Sequence, residues 1–193
     1  MRTRSFCGFR GGPLGPPVGS GQDCAGCGEP YYHDANPCAA VLVEDATGRV
    51  LLGRRTIEPA GGRWNIPGGF RGRDETREEC ARRELREATG CTVELTGFLG
   101  HVIDVHGVGG DHTLKALYTA RIVAGESVAA DDVAELRWFA LDATPPAAEL
   151  AFANAAEALR RLADRQGKES AAHPRTPDPS WSSTTTTGAT SPP

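Results

Sequence analysis

A glycine-rich loop that runs into a short helix constrains this chain more than any other feature. The loop begins at Gly69, and Thr76 followed three residues later by Glu79 forms the pattern of a helix N-terminal capping box. Gly90 supplies the residue type that commonly ends a helix. The pattern therefore predicts a loop and then a helix that starts near Thr76 and stops at Gly90.

Two carboxylates lie on one side of the predicted helix. Because a helix turns by about 100° per residue, Glu84 and Glu87 project only about 60° apart. Oxygen ligands of this kind suit Mg²⁺ or Mn²⁺, and Arg83 could pair with Glu75 to hold the loop against the helix. The alternative is a solvated helix face, on which Arg83 and Arg86 pair with the two carboxylates.

The other regular segments indicate an α/β fold. Apolar and β-branched runs bounded by turn residues predict strands, and a 3.6-residue apolar period predicts a closing helix. Strands and helices that mix without strict alternation predict a mixed sheet with helices on its faces. The predicted strands cover about 38–44, 49–54, 95–106, 113–123 and 135–140, and the closing helix covers about 147–165.

Composition divides the chain into three regions. Residues 1–35 are rich in Gly, Pro and Cys, and residues 36–165 hold nearly all the regular patterning. Residues 166–193 are rich in Ser, Thr and Pro, so we expect a disordered tail that buries too little apolar surface to offset its ordering entropy.

Charge and hydropathy exclude several classes of function. The net charge of −4 gives the whole molecule no attraction to nucleic acid or to an anionic membrane surface. The sequence shows neither an apolar run long enough for a membrane span nor the pattern of a secretory signal, so we expect a cytoplasmic protein. Any binding of phosphate must then come from a local site.

The segment from Gly69 to Cys91 resembles the Nudix box, G-x5-E-x7-R-E-U-x-E-E-x-G-U, in which U is a bulky aliphatic residue. The residues in register are Gly69, Glu75, Arg83, Glu84, Leu85, Glu87 and Gly90. The resemblance extends over about residues 36–165. It implies a Nudix α/β/α sandwich with a mixed sheet, and catalysis by Glu84, Glu87, Arg83 and Glu75 with Mg²⁺ or Mn²⁺.

The box departs from the family pattern at two positions. Ala88 replaces the second Glu of the paired carboxylates, and Cys91 replaces the aliphatic residue. In many family members the Glu at the position of Ala88 ligates metal. The resemblance therefore implies that this chain lacks one of the usual metal ligands. Glu79, about one turn before Glu84, is a possible but poorly oriented substitute.

Residues outside the box also resemble family features. Arg55, at the end of a strand, is the candidate for substrate phosphate. Trp64 could stack on a base, although a packed aromatic residue is the alternative. The resemblance implies that Gly69 contacts substrate and that the carbonyl group of Gly68 is a further metal ligand.

An acidic residue ahead of a late Trp-Phe strand is the last implied metal ligand or base. Asp132 has the best spacing from Trp138-Phe139, and Glu135 is its rival. Asp131 is a further acid in the same segment. Each could instead be an ordinary turn carboxylate.

The N-terminal cysteines resemble the knuckles of a zinc ribbon like that of NADH pyrophosphatases. Cys7, Cys24 and Cys27 are the candidate zinc ligands, and Arg10 occupies the place of the fourth cysteine. His33 could complete the set, or the segment could be a metal-free remnant held by packing.

The sequence thus predicts a metal-dependent hydrolase that cleaves the diphosphate linkage of a nucleoside diphosphate joined to another group, such as ADP-ribose or a dinucleotide. The run Ser-Gln-Pro-Trp-Pro-Phe-Pro, associated with NADH pyrophosphatases, is absent, which argues against NADH specificity. The expected partner is a small molecule rather than nucleic acid or membrane, and the resemblance adds a homodimer. The alternative is a weak or inactive Nudix domain that binds and senses a nucleotide.

Overall fold

A computed structural model describes residues 4–106 and 110–172. Nine strands and two α-helices make up its regular elements in the order β1–β6, α1, β7–β9, α2. The strands are β1 (Gly21–Asp23), β2 (Pro30–Tyr32), β3 (Asn36–Val43), β4 (Val50–Arg55), β5 (Trp64–Asn65), β6 (Gly68–Phe70), β7 (Thr92–His106), β8 (Asp111–Ala124) and β9 (Val133–Phe139). The helices are α1 (Arg77–Thr89) and α2 (Ala153–Ala172). No helix in these two ranges is long and apolar enough to cross a membrane.

The strands form three sheets. The hairpin β1–β2 stands alone, the order β6-β3-β8-β7 forms a four-stranded sheet, and β5-β4-β9 forms a three-stranded sheet. β3 pairs parallel with β8 and antiparallel with β6, so the larger sheet is mixed, as predicted.

Strand β3 is buried on both faces, which explains why its sequence is a continuous apolar run rather than an alternating one. Ala39, Val41 and Val43 face a core that includes Leu85 of α1. Ala40 and Leu42 face a second core built with α2, whose contributing residues are Ala155, Ala158, Leu159 and Leu162. The two helices therefore cover opposite faces of the strands, and the predicted α/β/α sandwich is confirmed.

Helix α1 begins and ends where the sequence predicts. The Thr76 hydroxyl accepts a hydrogen bond from the backbone N–H of Glu79, and the Glu79 carboxylate accepts one from the N–H of Thr76 at 2.7 Å. Gly90 adopts the left-handed conformation, with φ of 71°, and donates its N–H to the carbonyl oxygen of Arg86. Because the capping box uses the Glu79 carboxylate, this residue is not a spare ligand for the missing Glu at position 88.

The predicted bounds of the closing helix, 147–165, are wrong at both ends. Residues 147–152 contact the edge of the smaller sheet instead, and the N–H of Ala151 donates to the carbonyl oxygen of Trp64 at 2.8 Å. The helix then starts beside Asp104, whose carboxylate accepts the N–H of Asn154 at 3.1 Å. These partners are distant in the sequence, so the local period could not reveal them.

Helix α2 also continues to Ala172, into the region expected to be a disordered tail. The Gln166 amide donates to the Glu44 carboxylate at 2.6 Å, and Arg165 pairs with the same carboxylate. These long-range contacts order the segment in spite of its composition. The rest of the expected tail, residues 173–193, lies outside the described residues, as do residues 107–109 of the predicted hairpin turn.

Candidate active site

Arg83 joins the glycine-rich loop to α1 through hydrogen bonds to oxygen atoms of four residues and to the sulfur of Cys80. Its guanidinium donates to both oxygens of Glu75, at 3.0 and 2.5 Å, and to the carbonyl oxygen of Phe70 at 3.0 Å. It also donates to Glu84 at 2.8 Å and Glu87 at 3.0 Å. The predicted pairing of Arg83 with Glu75 is thus present in the structure, and one planar cation orients three carboxylates.

Glu84 lies against the backbone of the loop. A Cβ atom on Gly69 would stand 2.2 Å from Oε2 of Glu84, so only glycine leaves room for the carboxylate in this position. Burial raises the pKa of Glu84 in spite of the opposing hydrogen bond and charge of Arg83. Its carboxylate, on the middle of α1, is therefore partly desolvated.

Gly68 meets backbone rather than a side chain. A Cβ atom there would lie 2.2 Å from the carbonyl oxygen of Ala39 and 2.6 Å from Cα of Ala40, and its φ is 156°. Both glycines are needed, but for different reasons: Gly68 lets β6 approach β3, and Gly69 makes room for a functional side chain.

A cleft of about 300 Å³ opens beside Glu84. It is lined by residues from the four-stranded and the three-stranded sheet, from the loop after β4 and from the segment before α2. Charged, polar and aromatic side chains and two glycines make up much of the lining: Arg55, Asn65, Gly68, Gly69, Phe70, Glu84, His106, Lys115, Asp131, Asp132 and Phe152. The tertiary structure therefore brings Glu84 together with four other predicted site residues: Arg55, Gly68, Gly69 and Asp132.

Arg55 and Asp132 face each other in this cleft. Nη1 of Arg55 lies 3.1 Å from Oδ2 of Asp132, and its Nε donates to the carbonyl oxygen of Pro59 at 3.1 Å. Glu135, the rival acid, is not among the cleft residues and pairs with Arg54 and Arg137 instead. The geometry thus favours Asp132 over Glu135.

Four predicted active-site residues do not line the cleft: Glu75 and Arg83, which hold the loop against α1, and Trp64 and Glu87. The Trp64 side chain is buried in the α2 core and packs edge-on against Phe139, with ring centroids 5.0 Å apart, which matches the packing alternative. Glu87 is half exposed, and Arg83 is its ion-pair partner. Neither side chain lines the cleft.

The oxygen donors at this end of the cleft fit a hydrated divalent cation. The side-chain oxygen of Asn65 is buried and has no hydrogen-bond partner among the described residues, and Asn65 lines the cleft with Glu84 and Asp132. An orphaned acceptor beside partly desolvated carboxylates is suited to Mg²⁺ or Mn²⁺. Within residues 4–106 and 110–172, however, these acids do not bring three ligand atoms within 4.8 Å of one another. A cation would therefore keep several water ligands, as Mg²⁺ usually does.

The position of the missing carboxylate is also visible. Ala88 is buried and accepts the N–H of Ala130 at 3.2 Å. It borders a small extension of the cleft together with Glu84, Asp131 and Asp132. Carboxylates from the segment before β9 thus stand beside the space that a second helix carboxylate would occupy.

The N-terminal cysteines form a separate cluster. The Sγ atoms of Cys7, Cys24 and Cys27 all lie within 4.8 Å of one another, and those of Cys7 and Cys27 are 3.9 Å apart. Tetrahedral zinc with Zn–S bonds of about 2.3 Å requires sulfur atoms about 3.8 Å apart, so the spacing fits. A backbone hydrogen bond from Gly26 lowers the pKa of Cys24, and His33 is not a member of the cluster.

With this geometry established, comparison with known proteins identifies the family. The model of the NUDIX domain matches residues 35–162. The chain belongs to the Nudix family. This match confirms the predicted family and enzyme class, a Nudix pyrophosphohydrolase, on the predicted fold.

Curated relatives of this chain include proteins named for two different hydrolytic activities. An ADP-ribose pyrophosphatase from Methanocaldococcus jannaschii is 30% identical over 122 residues, which cover 63% of this chain and 69% of the relative. The NAD-capped RNA hydrolase NudC from Stutzerimonas stutzeri is 29% identical over 142 residues, covering 72% of this chain. The match spans 49% of that NudC, so this chain corresponds to about half of the longer relative.

Solved Nudix structures share the fold. A NUDIX hydrolase from Nitrosomonas europaea superposes with a TM-score of 0.68 at 24% identity, over 85% of this chain and 93% of that one. A MutT NUDIX hydrolase from Burkholderia pseudomallei gives a TM-score of 0.60 at 28% identity, over 66% of this chain and 98% of that one.

Several cleft residues were missed by sequence reasoning. Lys115 interrupts an apolar strand, and Asn65 interrupts the apolar approach to the loop; each interruption was a usable signal. Phe152 gave no signal, because the sequence placed it inside a helix that starts one residue later. Phe70 and His106 lie at strand ends, where sequence alone does not fix the direction of a side chain.

Gly68 and Gly69 of β6 should respond differently to substitution by alanine. Gly69→Ala should leave the free energy of unfolding nearly unchanged, since only the end of the Glu84 side chain must move, but should weaken Mn²⁺ binding about tenfold or more. Gly68→Ala should cost about 2 kcal/mol of stability or more, because its Cβ meets backbone. Urea unfolding and Mn²⁺ titration by electron paramagnetic resonance measure the two effects.

Gly61→Ala is the matched control, since its Cβ would come no closer than 3.4 Å to any atom outside its immediate neighbours. It should change neither property. Equal loss of Mn²⁺ binding in Gly61→Ala and Gly69→Ala would contradict the role given to Gly69.

Glu75 should make stability depend on pH. Hydrogen bonds from Arg83 and then from the Gly72 N–H lower its pKa from 4.5 to about 2. A depressed folded pKa stabilises the protein fully above the unfolded value, and this contribution is lost as the pH falls from 4.5 to about 2. Glu75→Gln should therefore be less stable than the wild type at neutral pH, and the difference should shrink across this acidic range in urea titrations. A difference that stays constant with pH would contradict this account.

Proposed function

We propose that the chain hydrolyses the diphosphate linkage of a nucleoside diphosphate joined to a second group, with ADP-ribose as the first substrate to test. The observation that carries the proposal is the single cleft that contains Glu84, Arg55 and Asp132 beside the Nudix-box loop. The relative named ADP-ribose pyrophosphatase supports the choice of substrate.

In this proposal Glu84 and Asp132 would hold Mg²⁺ or Mn²⁺, with oxygen atoms of Asn65 and Gly68 available at the same end of the cleft. The bound ion would neutralise diphosphate charge and lower the pKa of a water molecule. Arg83 keeps Glu84 and Glu87 oriented, and Arg55 binds a phosphate oxygen. Asp131 and Asp132 are the candidates for accepting the proton of the attacking water, because both line the cleft.

Glu84→Gln should abolish measurable release of AMP from ADP-ribose with Mn²⁺. The loss should be about 100-fold or more, because a metal ion contributes several kcal/mol of charge stabilisation to such reactions. Chromatographic assay of AMP measures the rate. The matched control is Glu94→Gln, which removes an exposed carboxylate paired with Arg121 and should keep full activity.

A panel of diphosphates with varied metals tests the substrate class. It should include dinucleoside diphosphates and NAD-capped RNA, because the NudC relatives carry that name. Turnover of none of these would refute the proposed hydrolysis. Tight binding of an unchanged nucleotide after long incubation with metal would instead favour a nucleotide sensor, which the loss of the carboxylate at Ala88 motivates.

We further propose that Cys7, Cys24 and Cys27 hold a structural zinc ion, with water or another donor as the fourth ligand. The sulfur spacing given above supports this proposal, and the buried positions of Cys7 and Cys24 suit a structural rather than a reactive role. Because Arg10 occupies the position expected for a fourth cysteine, that position supplies no thiolate ligand.

Purified protein should contain about one zinc ion per chain by elemental analysis. Cys24→Ser should lose the zinc and lower the Tm, because metal binding contributes to folding. Cys91→Ser is the control: Cys91 is buried outside the cluster, so this variant should lose stability but keep its zinc. Wild-type protein without zinc, prepared in zinc-supplemented medium, would contradict the proposal.

A further inference from the structure

Three aromatic rings line the cleft beyond the acidic residues. The ring centroids of Phe70 and His106 lie 5.3 Å apart, and those of His106 and Phe152 lie 5.6 Å apart. They come from β6, from the end of β7 and from the residue before α2, so only the tertiary fold assembles them. Phe70 remains 45% exposed. An exposed ring on a cleft wall offers a planar ligand a face or edge on which to stack.

A second feature of this wall is the side chain of Lys115. Lys115 lies in the cleft with its Nζ 5.6 Å from the centre of the Phe152 ring. Arg55 approaches the same ring at 5.5 Å but already pairs with Asp132. Lys115 has no salt bridge to any residue in the described ranges, and the charges around it include both Asp104 and the like-charged Arg55.

Burial lowers the pKa of Lys115; the nearby Cys38 and Asp104 oppose this lowering, and the charge of Arg55 adds to it, so the charged ammonium is destabilised in this position. A dianionic phosphate in the cleft would offset that destabilisation, since a charge-assisted hydrogen bond is strongest where water is excluded. A purely structural lysine would explain the contact with Phe152, but it would not explain a cation facing an open cleft beside aromatic rings.

We propose that Phe70, His106, Phe152 and Lys115 form the subsite for a nucleoside monophosphate: the base stacks on Phe70 and His106, and Lys115 binds the attached phosphate. This subsite deepens the proposed function, since it assigns one half of the diphosphate substrate to a defined wall. Arg55 and the acidic residues then face the phosphate that is cleaved from it. The specificity of the enzyme for a nucleotide rather than a simple sugar diphosphate resides in Phe70.

Binding of AMP and of ribose 5-phosphate, measured by calorimetry on the full chain, separates the two contacts. Phe70→Ala should weaken AMP binding about tenfold, because it removes the aromatic ring on which the base stacks. Ribose 5-phosphate has no base, so its affinity should not change. Lys115→Met should weaken both ligands by a similar factor, and Lys115→Arg should restore most of the affinity.

Phe98→Ala is the matched control for Phe70. Phe98 is 50% exposed and meets His101 edge-on at 5.1 Å, much as Phe70 meets His106, but it lies outside the cleft. Phe98→Ala should bind AMP like the wild type. Equal AMP affinities in Phe70→Ala and Phe98→Ala, or unchanged ribose 5-phosphate binding in Lys115→Met, would overturn the subsite. Thermal unfolding of each variant checks that it folds. If Lys115→Met does not fold, the comparison of Phe70→Ala with Phe98→Ala still tests the subsite, because both phenylalanines are exposed.

The two proposals fail in different ways. If the wild type binds AMP with these sensitivities but cleaves no diphosphate, the proposed hydrolysis is wrong and the subsite stands. If it cleaves ADP-ribose while Phe70→Ala leaves both KM and AMP affinity unchanged, the subsite is wrong and the hydrolysis stands.

Discussion

The guanidinium of Arg83 is the interaction on which the site depends. It binds a loop carboxylate, a loop carbonyl and two helix carboxylates at once, so the loop cannot shift without breaking charge-assisted hydrogen bonds. Lysine could not substitute, because its ammonium lacks a planar fork of donors. Arg83 therefore ties the loop to α1, with the Glu84 carboxylate against Gly69.

The central position of β3, between the two helices, determines which charged side chains meet in the cleft. With α1 on one face and α2 on the other, the strand ends bring opposite charges to one opening. Glu84, Asp131 and Asp132 contribute negatively charged side chains, whereas Arg55 and Lys115 contribute positively charged ones. A metal ion and a phosphate need these opposite surroundings, and a diphosphate substrate with its metal would satisfy both within one cavity.

Two departures from the family pattern fall at ligand positions, Ala88 in the cleft and Arg10 in the N-terminal segment. The acids before β9 border the space beside Ala88 without clustering as tightly as metal ligands, whereas the three thiols lie within 4.8 Å of one another. The structure thus retains the surroundings of both sites although each lacks one expected side chain. In the two proposed metal sites, water ligands for the divalent cation and a fourth donor at the cysteines would complete the ligand sets.

The sequence by itself determined the family, the loop, the bounds of α1 and the pairing of Arg83 with Glu75, because each depends on residues only a few positions apart. Tertiary structure alone decided where α2 begins, since its start depends on Asp104 and on the edge of β5. It also decided which acid lines the cleft and placed Trp64 in the core. Phe70, His106, Lys115 and Phe152 meet only through pairing and packing of distant elements, which no local period encodes.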